Sequence, residues 1–118
     1  MSEVKVSYGH RNMFESPLLC PTCGEANLHH IAVETCFRRH EDSPVGILVR
    51  TEAQGKVVVD SDANMVKKNP SPRRDGLRIT FFCEHCHAGE FDSPSMISEY
   101  YSLVIIQHKG TTYMCWET

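Results

Sequence analysis

The sequence predicts a small, mainly β domain built on an antiparallel sheet, and three observations predict it. Runs of β-branched and aromatic residues alternate with period two. Short glycine-containing loops join two pairs of these runs. Two Cys-x-x-Cys pairs, Cys20-Pro21-Thr22-Cys23 and Cys83-Glu84-His85-Cys86, bracket the middle of the chain. At 118 residues there is length for one domain, 1–118, with a modest core, and a hydrophobic content of 41% argues against wholesale disorder.

Taken in order, Val4 to Tyr8 reads as a short strand, and Ser16-Pro17 sets up the first cysteine turn with Leu18 and Leu19 beside it. Leu28 to Phe37 reads as a strand leaving that turn, with Ile31, Val33, Thr35 and Phe37 on one side. Arg38 to Pro44 is charged and ends in a turn signal. Val45 to Arg50 and Lys56 to Asp60 are β-branched runs joined by Glu52-Ala53-Gln54-Gly55, a hairpin. Residues 61–76 contain Asn64, Asn69, Pro70, Ser71, Pro72, Asp75 and Gly76, which predict a mobile loop. Hairpin and loop together, at about 38–76, read as an insertion between the cysteine pairs. Leu77 to Phe82 alternates and leads into the second pair; Ser93-Pro94-Ser95 is a helix start followed by little helix. Tyr101 to Gln107 and Thr111 to Trp116 flank His108-Lys109-Gly110, a tight hairpin. The total is six or seven strands.

The cysteines carry the chemistry. Each pair places two thiolates on one turn, and two such turns complete a tetrahedral zinc site with sulfurs about 2.3 Å from the metal. The predicted ligands are Cys20, Cys23, Cys83 and Cys86, holding one structural Zn2+. The separation, 83 − 23 − 1 = 59 residues, is longer than the usual spacing, so the middle is a substantial insertion. Four thiolates leave no position for water or substrate, so the expectation is a protein that is not an enzyme. His29, His30, His85 and His87 lie close enough in sequence for one to replace a cysteine as ligand. Two other readings stay open. A dithiol redox enzyme at Cys20 and Cys23 needs the first cysteine at a helix N-terminus, and Gly24 to His30 lacks a helical repeat. A disulfide framework needs an oxidising compartment. Met1 to Val6 lacks the pattern of a secretory signal and no apolar run is long enough to span a bilayer, so a cytoplasmic, non-membrane protein is expected. Cys36 and Cys115 fall in apolar strand patterns and read as buried thiols.

With Pro21 inside the first turn and Gly24 after it, the two cysteine turns resemble the knuckles of a zinc ribbon, which implies a small antiparallel β core clipped by a structural metal. The stretch from Asn69-Pro70-Ser71-Pro72-Arg73-Arg74-Asp75-Gly76-Leu77 through Cys86, with Gln107-His108-Lys109-Gly110, resembles small uncharacterised zinc-ribbon proteins of bacteriophages and mobile elements. That resemblance implies an accessory or regulatory protein that acts by binding, including binding that inhibits a host system.

Lys67, Lys68, Arg73, Arg74 and Arg78, set against the one acid Asp75, are the candidate partner-binding residues. The alternative for this stretch is a solvated loop stiffened by its prolines. A formal net charge of −3 gives no global attraction for nucleic acid, so the leading expectation is a non-enzymatic, zinc-stabilised binding module with a protein partner. A nucleic-acid-binding ribbon, using the same loop with Tyr100, Tyr101, Tyr113 and Trp116 for stacking, is the alternative. Oligomeric state is open, because hairpin edges and the final aromatic strand can pair across a two-fold axis, while a monomer with covered edges has the same sequence signature.

Overall fold

The computed structural model describes residues 2–5, 17–86 and 100–117. Its strands are β1 (Ser2–Glu3), β2 (Leu28–Arg38), β3 (Gly46–Glu52), β4 (Val57–Ser61), β5 (Gly76–Cys83), β6 (Tyr101–His108) and β7 (Thr111–Glu117), with a helix α1 (Ala63–Lys68) between β4 and β5. They form one sheet in the order β1-β7-β6-β5-β2-β3-β4, every pair antiparallel. The expected mainly β architecture is observed. The expected first strand is displaced: Ser2–Glu3 pairs with β7, Val4 and Lys5 lie outside any strand, and residues 6–8 fall outside the described residues, as does Ser93-Pro94-Ser95.

Turn chemistry sets the two hairpins. His108 pairs with Thr111, and between them Lys109 (φ 51°) and Gly110 (φ 78°) both take left-handed backbone, the two-residue turn whose twist matches the strands. In the β3–β4 hairpin the Gly55 N–H donates to the Glu52 carbonyl at 2.9 Å, and Gly55 itself has φ 85°. Here glycine supplies a conformation that a side chain would oppose.

Cross-strand register sorts the side chains into two unlike faces. On one face a row runs Val58, Arg50, Glu34, Arg78, Val104, Cys115, Glu3, flanked by Leu48, Cys36 and Gly76 in the next row. On the other face one row runs Val57, Thr51, Val33, Ile79, Leu103, Trp116, Ser2 and the next Val59, Val49, Thr35, Leu77, Ile105, Met114. The charged face is the covered one. Helix α1 lies over it and drops Met65, fully buried, onto Cys36 and Leu48. In β2 the buried positions are therefore Ala32, Glu34 and Cys36, while Ile31, Val33, Thr35 and Phe37 share the opposite, more open side.

A carboxylate that is only 6% exposed, as Glu34 is, needs partners. Arg50 and Arg78 approach the same Glu34 oxygen at 3.4 and 3.3 Å. Arg78 forks onto both oxygens of Glu117 (2.9 and 2.7 Å) and donates to the Lys68 carbonyl at 2.8 Å, while Arg50 reaches Glu52 at 2.9 Å. The result is a chain of alternating charge, Glu52-Arg50-Glu34-Arg78-Glu117, stitched across the middle of the sheet.

The expectation of a loop over 61–76 holds for residues 69–75 and is corrected for the residues before them. Residues 63–68 are helical, and the segment that follows is anchored from below. The Arg38 guanidinium donates to the carbonyls of Ser43, Arg74, Ser71 and Pro72, tying two loops to the end of β2. Ser71 is fully buried, accepting from the Gln107 N–H at 3.0 Å and donating to the Asp75 carbonyl. The Pro and Asn residues that read as loop signals are turn formers in a packed lobe. Asn69 shows how: its side chain accepts from the Ser71 N–H at 2.9 Å and donates to the Arg74 carbonyl at 2.8 Å. The lobe closes so tightly on β5 that a Cβ at Gly76 would stand 2.2 Å from Asn69 Oδ1 and 2.8 Å from the Pro70 ring. Gly76→Ala is therefore expected to lower stability by about 1–3 kcal/mol, read as a fall in thermal midpoint; an unchanged midpoint would contradict this packing.

Candidate metal centre

The first cysteine turn is shaped by its own backbone. The Gly24 N–H donates to the Cys20 carbonyl at 3.0 Å and the Cys20 N–H to the Glu25 carbonyl at 2.9 Å, with Gly24 at φ 76° so that the chain can double back. The second turn caps the end of β5. There the Cys86 N–H points at Cys83 Sγ (3.4 Å), and the Glu84 N–H holds the Asn27 carbonyl at 2.9 Å, fixing this turn against the segment that enters β2.

The two turns converge. The Sγ atoms of Cys20, Cys23, Cys83 and Cys86 all lie within 4.8 Å of one another, although the pairs are far apart in sequence. Cys20 Sγ is 3.8 Å from Cys86 and Cys23 Sγ is 3.6 Å from Cys83, too far for a disulfide. Four sulfurs at about 2.3 Å from a tetrahedral centre stand roughly 3.8 Å apart, so these separations fit a metal ion between them. Cys20 and Cys83 are buried, Cys23 and Cys86 half-buried.

The thiols' acidity follows from this crowding. Burial opposes ionisation of Cys20, yet N–H groups of Cys23 and Thr22 hold it below the ordinary thiol range. Burial pushes Cys83 up, and burial with its neighbouring thiol Cys23 pushes Cys86 up to about 12. Tyr101, whose hydroxyl donates to Cys86 Sγ at 3.8 Å, is likewise raised to about 12, chiefly by burial. Four thiolates cannot share so small a volume without a cation, and a divalent ion at the centre reverses the balance by stabilising all four.

The nearby histidines are elsewhere. His29 Nε2 meets Glu84 Oε2 at 2.9 Å on the surface, and His30 and His85 are exposed, so among the described residues the cluster consists of cysteines; His87 lies outside them. Cys20 sits on a turn rather than at a helix N-terminus, so the arrangement that activates a redox thiol is not found there. Cys36 is buried and its thiol is pushed up by burial and by Glu34, as an inert thiol would be.

The five basic residues separate on inspection. Arg78 belongs to the charged row inside the sheet. Arg73 grips Asp42 with two hydrogen bonds, Nε to Oδ1 at 2.7 Å and Nη2 to Oδ2 at 2.5 Å, and this pairing holds the Asp42 carboxyl below its usual range. Arg74 reaches Glu41 at 3.3 Å and Lys68 reaches Asp60 at 3.9 Å, while Lys67 has no ion-pair partner among the described residues. The run that reads as a cationic patch is thus a surface of mixed charge, completed by Glu41 and Asp42 from the loop after β2. Comparison of the chain with protein-family models, with curated proteins and with solved structures found no match. The likeness to zinc ribbons therefore rests on the four-cysteine cluster, and among the described residues no helix is long and apolar enough to cross a membrane.

Two expectations follow. A thiol reagent applied to the native protein should label none of Cys20, Cys23, Cys83 and Cys86 until a chelator is added, as mapped by peptide mass spectrometry; free labelling without chelator would remove the metal site. Arg78→Met should cost about 1.5–3 kcal/mol in denaturant unfolding, because it removes one of the two arginines on buried Glu34 and the fork onto Glu117, whereas Arg73→Met on the exposed surface should leave the midpoint nearly unchanged. Equal losses would contradict the distinction between them.

Proposed function

We propose that this protein is a non-enzymatic binding module, clipped by one structural zinc ion, whose partner is another protein. The observation that carries the reading is the charge pattern of the lobe formed by residues 38–44 and 67–76. Its exposed arginines sit beside fixed acids, Arg73 with Asp42 and Arg74 with Glu41, on loops that Arg38 ties down. A rigid surface of alternating sign complements another folded surface of alternating sign. A polyanion would instead meet Asp42 and Glu41 head-on.

The four-sulfur cluster supports the non-enzymatic half of the reading. When four thiolates fill the tetrahedron, no coordination site is left for water or substrate, and zinc fits an all-sulfur donor set. Lys67, Arg73 and Arg74 remain the proposed contact residues. Lys68, turned toward Asp60, and Arg78, drawn into the sheet, act through the structure that supports them. An accessory or regulatory role, of the kind implied by the resemblance to proteins of phages and mobile elements, belongs with this reading, as does a cytoplasmic site of action.

The test compares the zinc-loaded protein with Arg73→Glu/Arg74→Glu as baits at physiological salt, after checking that metal content and thermal midpoint agree. At least one protein retained by the first and lost by the second is expected. Retention of nucleic acid that falls steeply with salt and vanishes in the variant would put the nucleic-acid reading in its place.

A further inference from the structure

One edge of the sheet is open. The strand order begins at β1 and ends at β4, so β4 has a neighbour on one side only. Its flanks fix the direction of its backbone groups: the Glu52 N–H donates to the Lys56 carbonyl at 2.9 Å and the Asp62 N–H to the Gly46 carbonyl at 3.1 Å. Between those two pairs, Val58 and Asp60 bond inward to β3, and Val57, Val59 and Ser61 turn their N–H and C=O groups outward. Among the described residues nothing meets these outward groups. Val57 is 60% and Val59 61% exposed, and the strand has no proline or bulge to guard its edge.

We infer that β4 pairs antiparallel with β4 of a second copy of the chain about a two-fold axis at Val58, joining the two seven-stranded sheets into one. The run Lys56-Val57-Val58-Val59-Asp60 is self-complementary under that axis. Val57 meets Val59 of the second copy through the outward backbone groups, and Val58 meets its own counterpart. Lys56 then stands opposite Asp60 of the second copy, twice over, at positions that exchange no backbone hydrogen bonds and whose side chains are closest. The single chain leaves both charges weakly partnered. Lys56 has no ion pair among the described residues, and Asp60 has Lys68 at 3.9 Å and the Asn64 amide at 3.5 Å. Helix α1 leaves the edge clear, because Met65 reaches inward to Leu48 and Cys36.

The chain's own undescribed residues do not reach this edge. Residues 6–16 leave and rejoin at the far side of the sheet, where the Leu19 N–H donates to the Lys5 carbonyl. From there β4 is six strand spacings away, a return journey of about 58 Å against an extended span of about 42 Å. Residues 87–99 run from Cys86 to Tyr100. Val59 lies about 25 Å from each of those ends, and the extended span of about 49 Å leaves no residue to lie along the strand. A joint five residues long falls below the standard interface, so the dimer is a weak one that forms with rising concentration. Lys56, Asp60 and the valines are not among the proposed contact residues, so the inference stands independently of that proposal.

The experiment is sedimentation of the metal-loaded full chain from about 1 µM to about 1 mM, the range in which a small interface dissociates. Lys56→Glu, Asp60→Lys and an equal mixture of the two variants are run alongside. The natural chain is expected to rise from its 13.4 kDa mass to twice that value. Each variant alone sets like charges face to face at two symmetric places, so self-association should weaken at least tenfold. In the mixture Glu at 56 meets Lys at 60 and Lys56 meets Asp60, so the dimer should return. That recovery also shows that both variants fold. A natural chain that stays at its single mass overturns the inference and leaves the edge to a foreign strand. A dimer indifferent to both substitutions, or one that the mixture does not restore, overturns it equally. Isotope-filtered NOEs in a mixture of labelled and unlabelled natural chains keep the test sharp if a variant fails to fold. Contacts between Val57 and Val59 methyls of different chains are expected, and a dimer without them contradicts the pairing.

Discussion

Everything at the cysteine end of this sheet depends on four thiols meeting in a space less than 5 Å across. Two of them arrive from the arm that precedes β2 and two from the end of β5, so their convergence closes a loop of some sixty residues containing β2, β3, β4 and α1. Among the described residues the core cluster beneath α1 is small, made of Cys36, Leu48 and Met65. Net stabilities of small domains are about 5–15 kcal/mol, and a structural zinc site contributes on that same order.

The charged row is the complementary constraint on the other side of the sheet. A buried Glu-Arg pair adds little net stability relative to an apolar pair, but losing either partner is costly. Glu34, Arg50, Arg78 and Glu117 therefore specify register: a slip of one residue between β2 and β5 would turn Arg78 to the apolar face, taking one of the two arginines from Glu34 and the fork from Glu117. Specificity of pairing, more than added stability, is what this row contributes. It also explains why the helix covers the polar face. The Lys68 carbonyl at the end of α1 accepts from Arg78, and Met65 fills the space beside the row.

Much of this was legible in the residues. Alternating runs marked every long strand, and glycine at positions 55 and 110 marked both hairpins, because period and turn chemistry are local. The four ligands were legible because Cys-x-x-Cys geometry is local too. What was not legible depended on partners distant in sequence. Arg73 and Arg74 looked like free cations because Glu41 and Asp42, some thirty residues earlier, are brought to them only by the fold. The 61–76 segment looked like a loop because six helical residues are too few for a periodic signal. Glu34, an acid in the middle of an apolar strand, was the one available sign that the β2 face with the fewest apolar residues is the buried one.

The most direct test of the central claim is the metal content of protein purified without added metal, followed by thermal unfolding before and after chelation. One zinc per chain, with the cooperative transition lost or moved sharply down on chelation, is the predicted result. A metal-free protein whose transition is indifferent to chelator would show that the four thiols meet without a metal, and would return Cys20 and Cys23 to the status of free thiols whose chemistry has to be explained anew.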